Sequence, residues 1–375
     1  LSAGNFNYWQ AEGAGQLALS DTVAARVAFT WAEADGWMEN EFAGAPDANS
    51  IDQYGLRASL RYAPSDRFDL VLRASTSLQN PWNYGVSSSP IEVGIGGTIY
   101  PFFGIPADFA EGIDRREINT PDVYRRRLRT DAVALTANWK VTDALTVVSI
   151  SSWDEGSVLN HEDGDATPLE VSDAVYSGET RQFSQDLRLA SDLDGPANFI
   201  LGVYYNRERI SNSTTNWFST DIDVNEDGQV DAQDCIDGGF FPTCGYGNEF
   251  DQDKDSFAVY SDLQYKITDR LTARAGLRYT KDSGDLNNFR AILTDLNGNP
   301  LFNIIPGSDD LGATTSRDFD DDDISGKIGL DYELAADMMV YASYSRGYRG
   351  ASFNAQAIFS PAELTIADPE TLDAV

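Results

Sequence analysis

Positive charge is scarce in this chain of 375 residues, where 27 lysines and arginines face 60 aspartates and glutamates, for a formal charge of −33. A groove for nucleic acid needs a basic face, so that class of partner is excluded. Histidine occurs once, at His161. That leaves no histidine-built zinc cluster, and any Ser-His-Asp triad would depend on this one residue. His161 lies in the hydrophilic run Asn160–Gly164, where an exposed loop histidine is expected. No Walker-type phosphate loop is present, and no apolar run approaches the ~18 residues of a membrane helix. Cysteine occurs only at Cys235 and Cys244. Two cysteines so close within one acidic stretch predict a disulfide stapling a loop tip outside the cytosol, the alternative being two thiols with no role. An initiating methionine and a targeting segment are also missing, so the chain reads as a piece of a longer exported precursor.

What the chain does have is alternation. In Ser256–Thr280, Phe257, Val259, Leu263, Tyr265 and Ile267 are apolar at every second position, broken only by Ser261. After the turn Thr268-Asp269-Arg270, the alternation resumes in Leu271, Ala273, Ala275, Leu277 and Tyr279, interleaved with Thr272, Arg274, Gly276, Arg278 and Thr280. Period two means a strand with one apolar and one water-facing side. The pattern recurs along the chain. Val23–Trp31 precedes a first insertion over residues 37–50, and Tyr54–Tyr62 turns through Pro64–Arg67 into Phe68–Ala74. Val133–Trp139 returns as Leu145–Trp153, Phe183–Leu189 as Phe199–Tyr205, and Ile328–Leu334 as Met339–Gly347.

This predicts about twelve antiparallel strands, each long enough for the ~9–11 residues that cross a bilayer. Short turns fall on one side and long insertions on the other. Trp31, Tyr62, Phe68, Trp139, Trp153, Tyr265, Tyr279 and Tyr332 stand at strand ends, as in the aromatic rings of a membrane barrel. A soluble sheet would hide its apolar side under a second layer and rarely carries insertions this long on one side only. The fold class is therefore all-β, an antiparallel transmembrane β-barrel with short periplasmic turns and long extracellular loops. The acids concentrate in Glu162–Asp165, Asp221–Asp237, Asp309–Asp310 and Asp318–Asp323. These read as solvated loops, the sharper alternative being cation binding at the cell surface.

One acidic stretch has a finer pattern. Asp223, Asn225, Asp227, Asp231 and Asp234 fall at positions 1, 3, 5, 9 and 12 of a Ca²⁺-loop, with Gln229 offering its carbonyl at 7 and Gly228 at the sharp turn. Asp replaces the usual Glu at position 12, which resembles the loops of dockerin modules. The expected role is structural Ca²⁺ that orders an extracellular loop, fastened by Cys235 and Cys244; catalysis is not implied.

Longer phrases resemble a family. The opening Gly4–Asn40, with NFNYWQAEGAGQLALSDTVAARVAFTWAEADGWMEN, is similar to the start of the barrel in TonB-dependent outer-membrane receptors. AGLRYTKD (Ala275–Asp282) resembles that family's mid-barrel phrase, and ISGKIGLDYELAADMMVYASYSRGYRGASFN (Ile324–Asn354) resembles a later hairpin. DPETLDAV (Asp368–Val375) resembles the start of the strand after it. The resemblance implies a partial barrel over 1–375, about 12 of ~22 strands, whose plug lies upstream and whose remaining strands lie downstream. It further implies residence among the lipids of a Gram-negative outer membrane and no enzymatic activity. The implied work is uptake of a scarce nutrient, first of all a ferric siderophore, energised by the TonB-ExbB-ExbD complex. The alternative is a passive porin. Within the barrel domain, 211–252 is expected to be one extracellular insertion. Ligand contact is expected in the loops 80–124, 211–252 and 285–317, and no individual ligand residue is assigned.

Overall fold

The computed structural model describes residues 1–87, 114, 116–169, 172–218, 223, 225, 227–231, 233–234, 244–295, 299–355 and 360–375. Twelve long strands follow one another: β1 Trp9–Ala18, β2 Val23–Ala34, β3 Ile51–Ser65, β4 Phe68–Gln79, β5 Arg127–Lys140, β6 Leu145–Asp163, β7 Ser172–Ser191, β8 Ala197–Phe218, β9 Gly245–Thr268, β10 Leu271–Thr294, β11 Thr315–Ala335 and β12 Met338–Arg349. A short β13, Glu370–Ala374, comes after them. Each strand pairs antiparallel with its neighbour in the chain, so the sheet is a meander in sequence order, as the repeated hairpin pattern predicts.

Register follows from alternation, because a slip of one residue would send every apolar side chain to the wrong face. One row across the sheet runs Val23, Tyr62, Leu70, Ala137, Ser149, Leu187, Val203, Val259, Tyr279 and Ile324. All but Ser149 are apolar or aromatic, and they share the outward face. These side chains are not packed against protein: Phe29 is 49%, Val203 40% and Ile328 61% exposed. An apolar sheet face this extensive is a surface for lipid.

The aromatics give the tilt of the strands. The row through Trp139 continues as Val147, Leu189, Leu201 and Ser261. On β9, however, the ring at the short-turn side is Tyr265, four residues below Ser261. Four residues at ~3.3 Å each, set against four strand spacings of ~4.8 Å, give a tilt of ~35°. Tyr54 and Tyr62 on β3, like Phe257 and Tyr265 on β9, stand eight residues apart. At that tilt they are ~22 Å apart, close to the ~25 Å apolar band of such barrels.

The strands also run further than alternation indicates. β8, β9, β10 and β11 contain 22, 24, 24 and 21 residues. β9 rises ~30 Å beyond Phe257. No lipid faces the strand there, so apolar alternation disappears from the sequence while the hydrogen-bond ladder continues. The insertion expected over 211–252 is correspondingly narrower, with β8 and β9 still paired at Trp217 and Gly245. Most of 285–317 is paired as well, since β10 reaches Thr294, Pro300–Ile305 folds back on it, and β11 begins at Thr315. Asp318–Asp323 is likewise strand, not a solvated approach to one.

Candidate functional site

The inward side chains of these strands are polar, and glycine lets some of them reach across the wall. Tyr260 on β9 faces Gly202 on β8, where an added Cβ would meet the ring's Cζ at 2.2 Å. The ring therefore lies over the glycine, and its hydroxyl donates to Asp186 Oδ2 on β7 at 2.8 Å. Arg278 on β10 sets its guanidinium 5.4 Å from the Tyr204 ring centre and 5.8 Å from that of Tyr260. Lys327 and Asp262 pair at 2.9 Å, and Arg274 and Asp331 at 2.6 Å. The wall is thus lipophilic outside and densely hydrogen-bonded inside. Its residues were legible in the sequence only as water-facing positions, because period two marks a face without saying what meets it.

Beyond the outer aromatic ring, Tyr348 donates to Asp321 at 2.9 Å and lies 3.2 Å from Asp282, which pair across β10 and β11. Burial, then the hydrogen bond to Asp321, pushes its phenol well above the ordinary tyrosine range. Lys254 stands 5.7 Å from the Phe319 ring centre. Above these groups is an apolar cluster of Leu286, Phe289, Ala291, Ile305 and Leu364, flanked by Phe250, Ile304, Phe353 and Ala355. It ties the upper β10 to the 295–314 and 350–369 connections. Asn248 donates to the carbonyl of Ala355 at 3.1 Å, fastening the same connection to β9.

A second cluster packs Met38 and Ala48 against Ile118 and Val123, with Trp82 beside them. At this cluster His161 departs from expectation. It is in strand β6, its side chain only 25% exposed, and its ring stacks on Tyr124 at 3.4 Å. The run Asn160–Gly164 looked like a loop because it is hydrophilic, but a strand pair above the membrane can be hydrophilic on both sides. Asn83 donates to Asn160 Oδ1 and to the carbonyl of His161, both at 2.8 Å. Tyr84 is raised to about 12, by burial first and then by its hydrogen bond to Glu162. Desolvation raises the Asp163 carboxyl, and raises Asp165 to about 6.

The described residues of the Ca²⁺-loop pattern are joined by hydrogen bonds from carboxylates and an amide to backbone N–H groups. Asp223 accepts from the amides of Asp227 and Gly228 at 3.1 and 2.7 Å, and Gly228 has the left-handed φ of +85° that the sharp turn requires. Asn225 Oδ1 accepts from Asp227 at 3.0 Å, and Asp227 Oδ1 from Gln229 at 2.9 Å. Asp234, 2% exposed, accepts from Asn225 at 3.2 Å and Asp231 at 2.7 Å. Among the described residues, no three His, Cys, Asp or Glu side chains gather into a group that would hold a metal. Cys244 is buried at the upper end of β9, immediately before Gly245, and Cys235 lies outside the described residues, as do positions 88–113 of the 80–124 loop.

This arrangement offers a polar inner wall under a rim of folded connections, suited to holding and passing a solute. Residues 2–373 match the family model described as TonB dependent receptor-like, beta-barrel. The chain is similar to the ferric yersiniabactin uptake receptor FyuA from Yersinia pestis, with a TM-score of 0.72 and 18% identity over 98% of this chain and 49% of that one. It is also similar to the ferric-catecholate import receptor Fiu from E. coli K12, with a TM-score of 0.58 and 13% identity over 92% of this chain and 53% of that one. A copper transporter, OprC, matches with a TM-score of 0.58 and 12% identity over 92% of this chain and 44% of that one. The chain therefore spans about half the length of the solved proteins it matches.

Proposed function

The chain belongs to the TonB-dependent receptor β-barrel family, and on that premise we propose that it forms about half of the barrel wall of an energised outer-membrane importer. Members of this family are transporters of the Gram-negative outer membrane rather than enzymes. The solute we assign is a scarce chelated metal, first of all a ferric siderophore, since FyuA and Fiu are receptors for such ferric complexes. The energy source in this reading is TonB-ExbB-ExbD, reached through a plug segment inside the barrel.

The observation that carries the proposal is the contrast between an inner wall of paired charges and tyrosines and a rim packed by two separate apolar clusters. A passive porin needs an open mouth; a receptor needs connections with enough core to hold a shape around a ligand and then release it. The test is uptake of ⁵⁵Fe-loaded siderophores by cells carrying the intact gene, with and without a functional TonB complex. Uptake that requires the complex supports the proposal. Uptake indifferent to it, together with steady conductance in planar bilayers, would leave the porin reading instead.

We also propose that the turn Asp223–Asp234 takes structural Ca²⁺ and that Cys235 and Cys244 form the disulfide beside it. Support comes from the ligand spacing and from Gly228, whose backbone already adopts the conformation that a Ca²⁺-loop requires at this position.

A further inference from the structure

The arginines of the inner wall fall into two groups. Arg61 pairs with Asp69, Arg274 with Asp331 at 2.6 Å, and Arg188 lies 3.6 Å from Asp186. Arg26 on β2, Arg57 on β3 and Arg73 on β4 have no carboxylate partner among the described residues, and all three are exposed. Arg26 donates to Gln16 at 3.2 Å. The inward carboxylates around them are engaged elsewhere. Glu12 accepts from Gln10 at 2.6 Å, Asp154 accepts from Ser152 at 3.0 Å, and Asp69 holds Arg61.

The three free arginines stand together. Arg26 and Arg73 both face Ser59, one from each side of β3. Arg57 is two residues further up β3, between Ala28 and Ser75. At ~4.8 Å per strand and ~3.3 Å per residue, their Cα atoms lie within ~10 Å of one another. Tyr54 and Tyr62 end the apolar band on β3, which puts Arg57 and Ser59 near the middle of the membrane. The side chains between and beside them are small: Ala28, Ser59 and Ser75, then Ala132 and Ala134 on β5. Like charges this close on one sheet face repel unless an anion offsets them.

We propose that Arg26, Arg57 and Arg73 form an anion station halfway along the inner wall, which takes the negatively charged oxygens of a metal chelate in transit. The proposal rests on the transport reading above and narrows its solute to an anionic chelate. A guanidinium is a planar fork that binds such oxygens in pairs, and its charge is permanent. Two features favour a passing solute over a docked protein segment. Where an arginine on this wall has a fixed role, its carboxylate comes from a neighbouring strand, as Asp69 and Asp331 show. The small side chains also leave room beside the station, whereas on β8 to β10 Tyr204, Tyr260 and Arg278 interlock across the wall.

The test uses cells carrying the intact gene, or a variant with Arg26→Gln, Arg57→Gln and Arg73→Gln. Import of ⁵⁵Fe is followed from ferric citrate, from an anionic tris-catecholate and from a neutral trihydroxamate. The wild type imports an anionic chelate. The variant binds that chelate at the surface of chilled cells as the wild type does, but imports it at least ~tenfold more slowly. Equal import by both proteins overturns the station, as does wild-type import confined to the neutral chelate. Lost surface binding together with new protease cleavage of the plug overturns the assignment to a solute, because the arginines then hold protein. Import of an anionic chelate that is indifferent to the TonB complex counts against the transport reading alone, since the station is judged by the ratio of variant to wild type. Should the triple variant fail to fold, judged by heat-modifiable gel mobility, Arg57→Lys keeps the charge and removes the fork; unchanged import then overturns the proposal.

Discussion

The hydroxyl of Tyr260 on β9 reaches Asp186 on β7, 2.8 Å away, by passing over the strand between them. It can do so only because residue 202 is glycine. The contact locks three strands of the inner wall with one ring, and its geometry leaves no room for a methyl group.

Gly202→Ala should therefore displace the ring and release Asp186 from its hydrogen bond. We expect a loss of about 1–3 kcal/mol, the usual result of forcing a methyl group into a packed site. It would be read as a lower denaturant midpoint for the purified barrel. A second substitution, Tyr260→Ser, should bring the midpoint of the double variant close to that of Tyr260→Ser alone. Strict additivity of the two changes would contradict the contact.

Phe289 is fully buried in the apolar cluster that joins upper β10 to the neighbouring connections. Phe289→Ala removes about 3–5 kcal/mol of local packing, yet the lipid-facing wall below does not depend on it. Limited proteolysis should open residues 299–313 and 360–369 first, while heat-modifiable mobility of the barrel stays unchanged. Simultaneous loss of both would mean that rim and wall are one cooperative unit.

Asp165 has a folded pKa of about 6 against 3.8 unperturbed, chiefly through desolvation. A raised value means that folding favours the protonated form. Its stabilising contribution is full below about pH 3.8 and is lost as pH rises through about 6. Protection of the amides of 160–169 from hydrogen exchange, corrected for intrinsic rate, should fall between pH 4 and pH 7, and Asp165→Asn should flatten that dependence. A wild-type profile rising with pH would refute the assignment.

For the proposed Ca²⁺ turn, Asp227 is the informative position, because its side chain caps the amide of Gln229 and holds no more distant segment among the described residues. Millimolar Ca²⁺ should slow cleavage of the 219–244 segment by an acid-specific protease, and EGTA should reverse this. Asp227→Ala should abolish the Ca²⁺ effect while leaving cleavage without Ca²⁺ nearly unchanged. Protection that persists in the variant would exclude Asp227 as a ligand.

The strand order, the position of the short turns and the lipid-facing side were all legible in residues such as Val259, Leu263, Tyr265 and Leu277, because a bilayer demands apolar side chains at every second position and nothing else on the outer face. Hairpins joined by two to five residues leave no alternative partner for each strand, so local pattern fixed topology as well. The chain could not by itself reveal where the long strands stop. Past Phe257 and Tyr279 the outer face meets water while the inner face packs polar and apolar side chains alike, from Asp282 to Leu286 and Phe289, against the rim, so apolar alternation is lost and pairing is decided by the neighbouring strand. For the same reason His161 and Asp318–Asp323 looked like loop and are strand. The inner wall and rim belong to tertiary structure entirely. Tyr260 meets Asp186 across 74 residues of sequence, and Asn248 meets Ala355 across 107. Such contacts depend on shear, tilt and the absence of one Cβ, quantities that exist only once the sheet has curved.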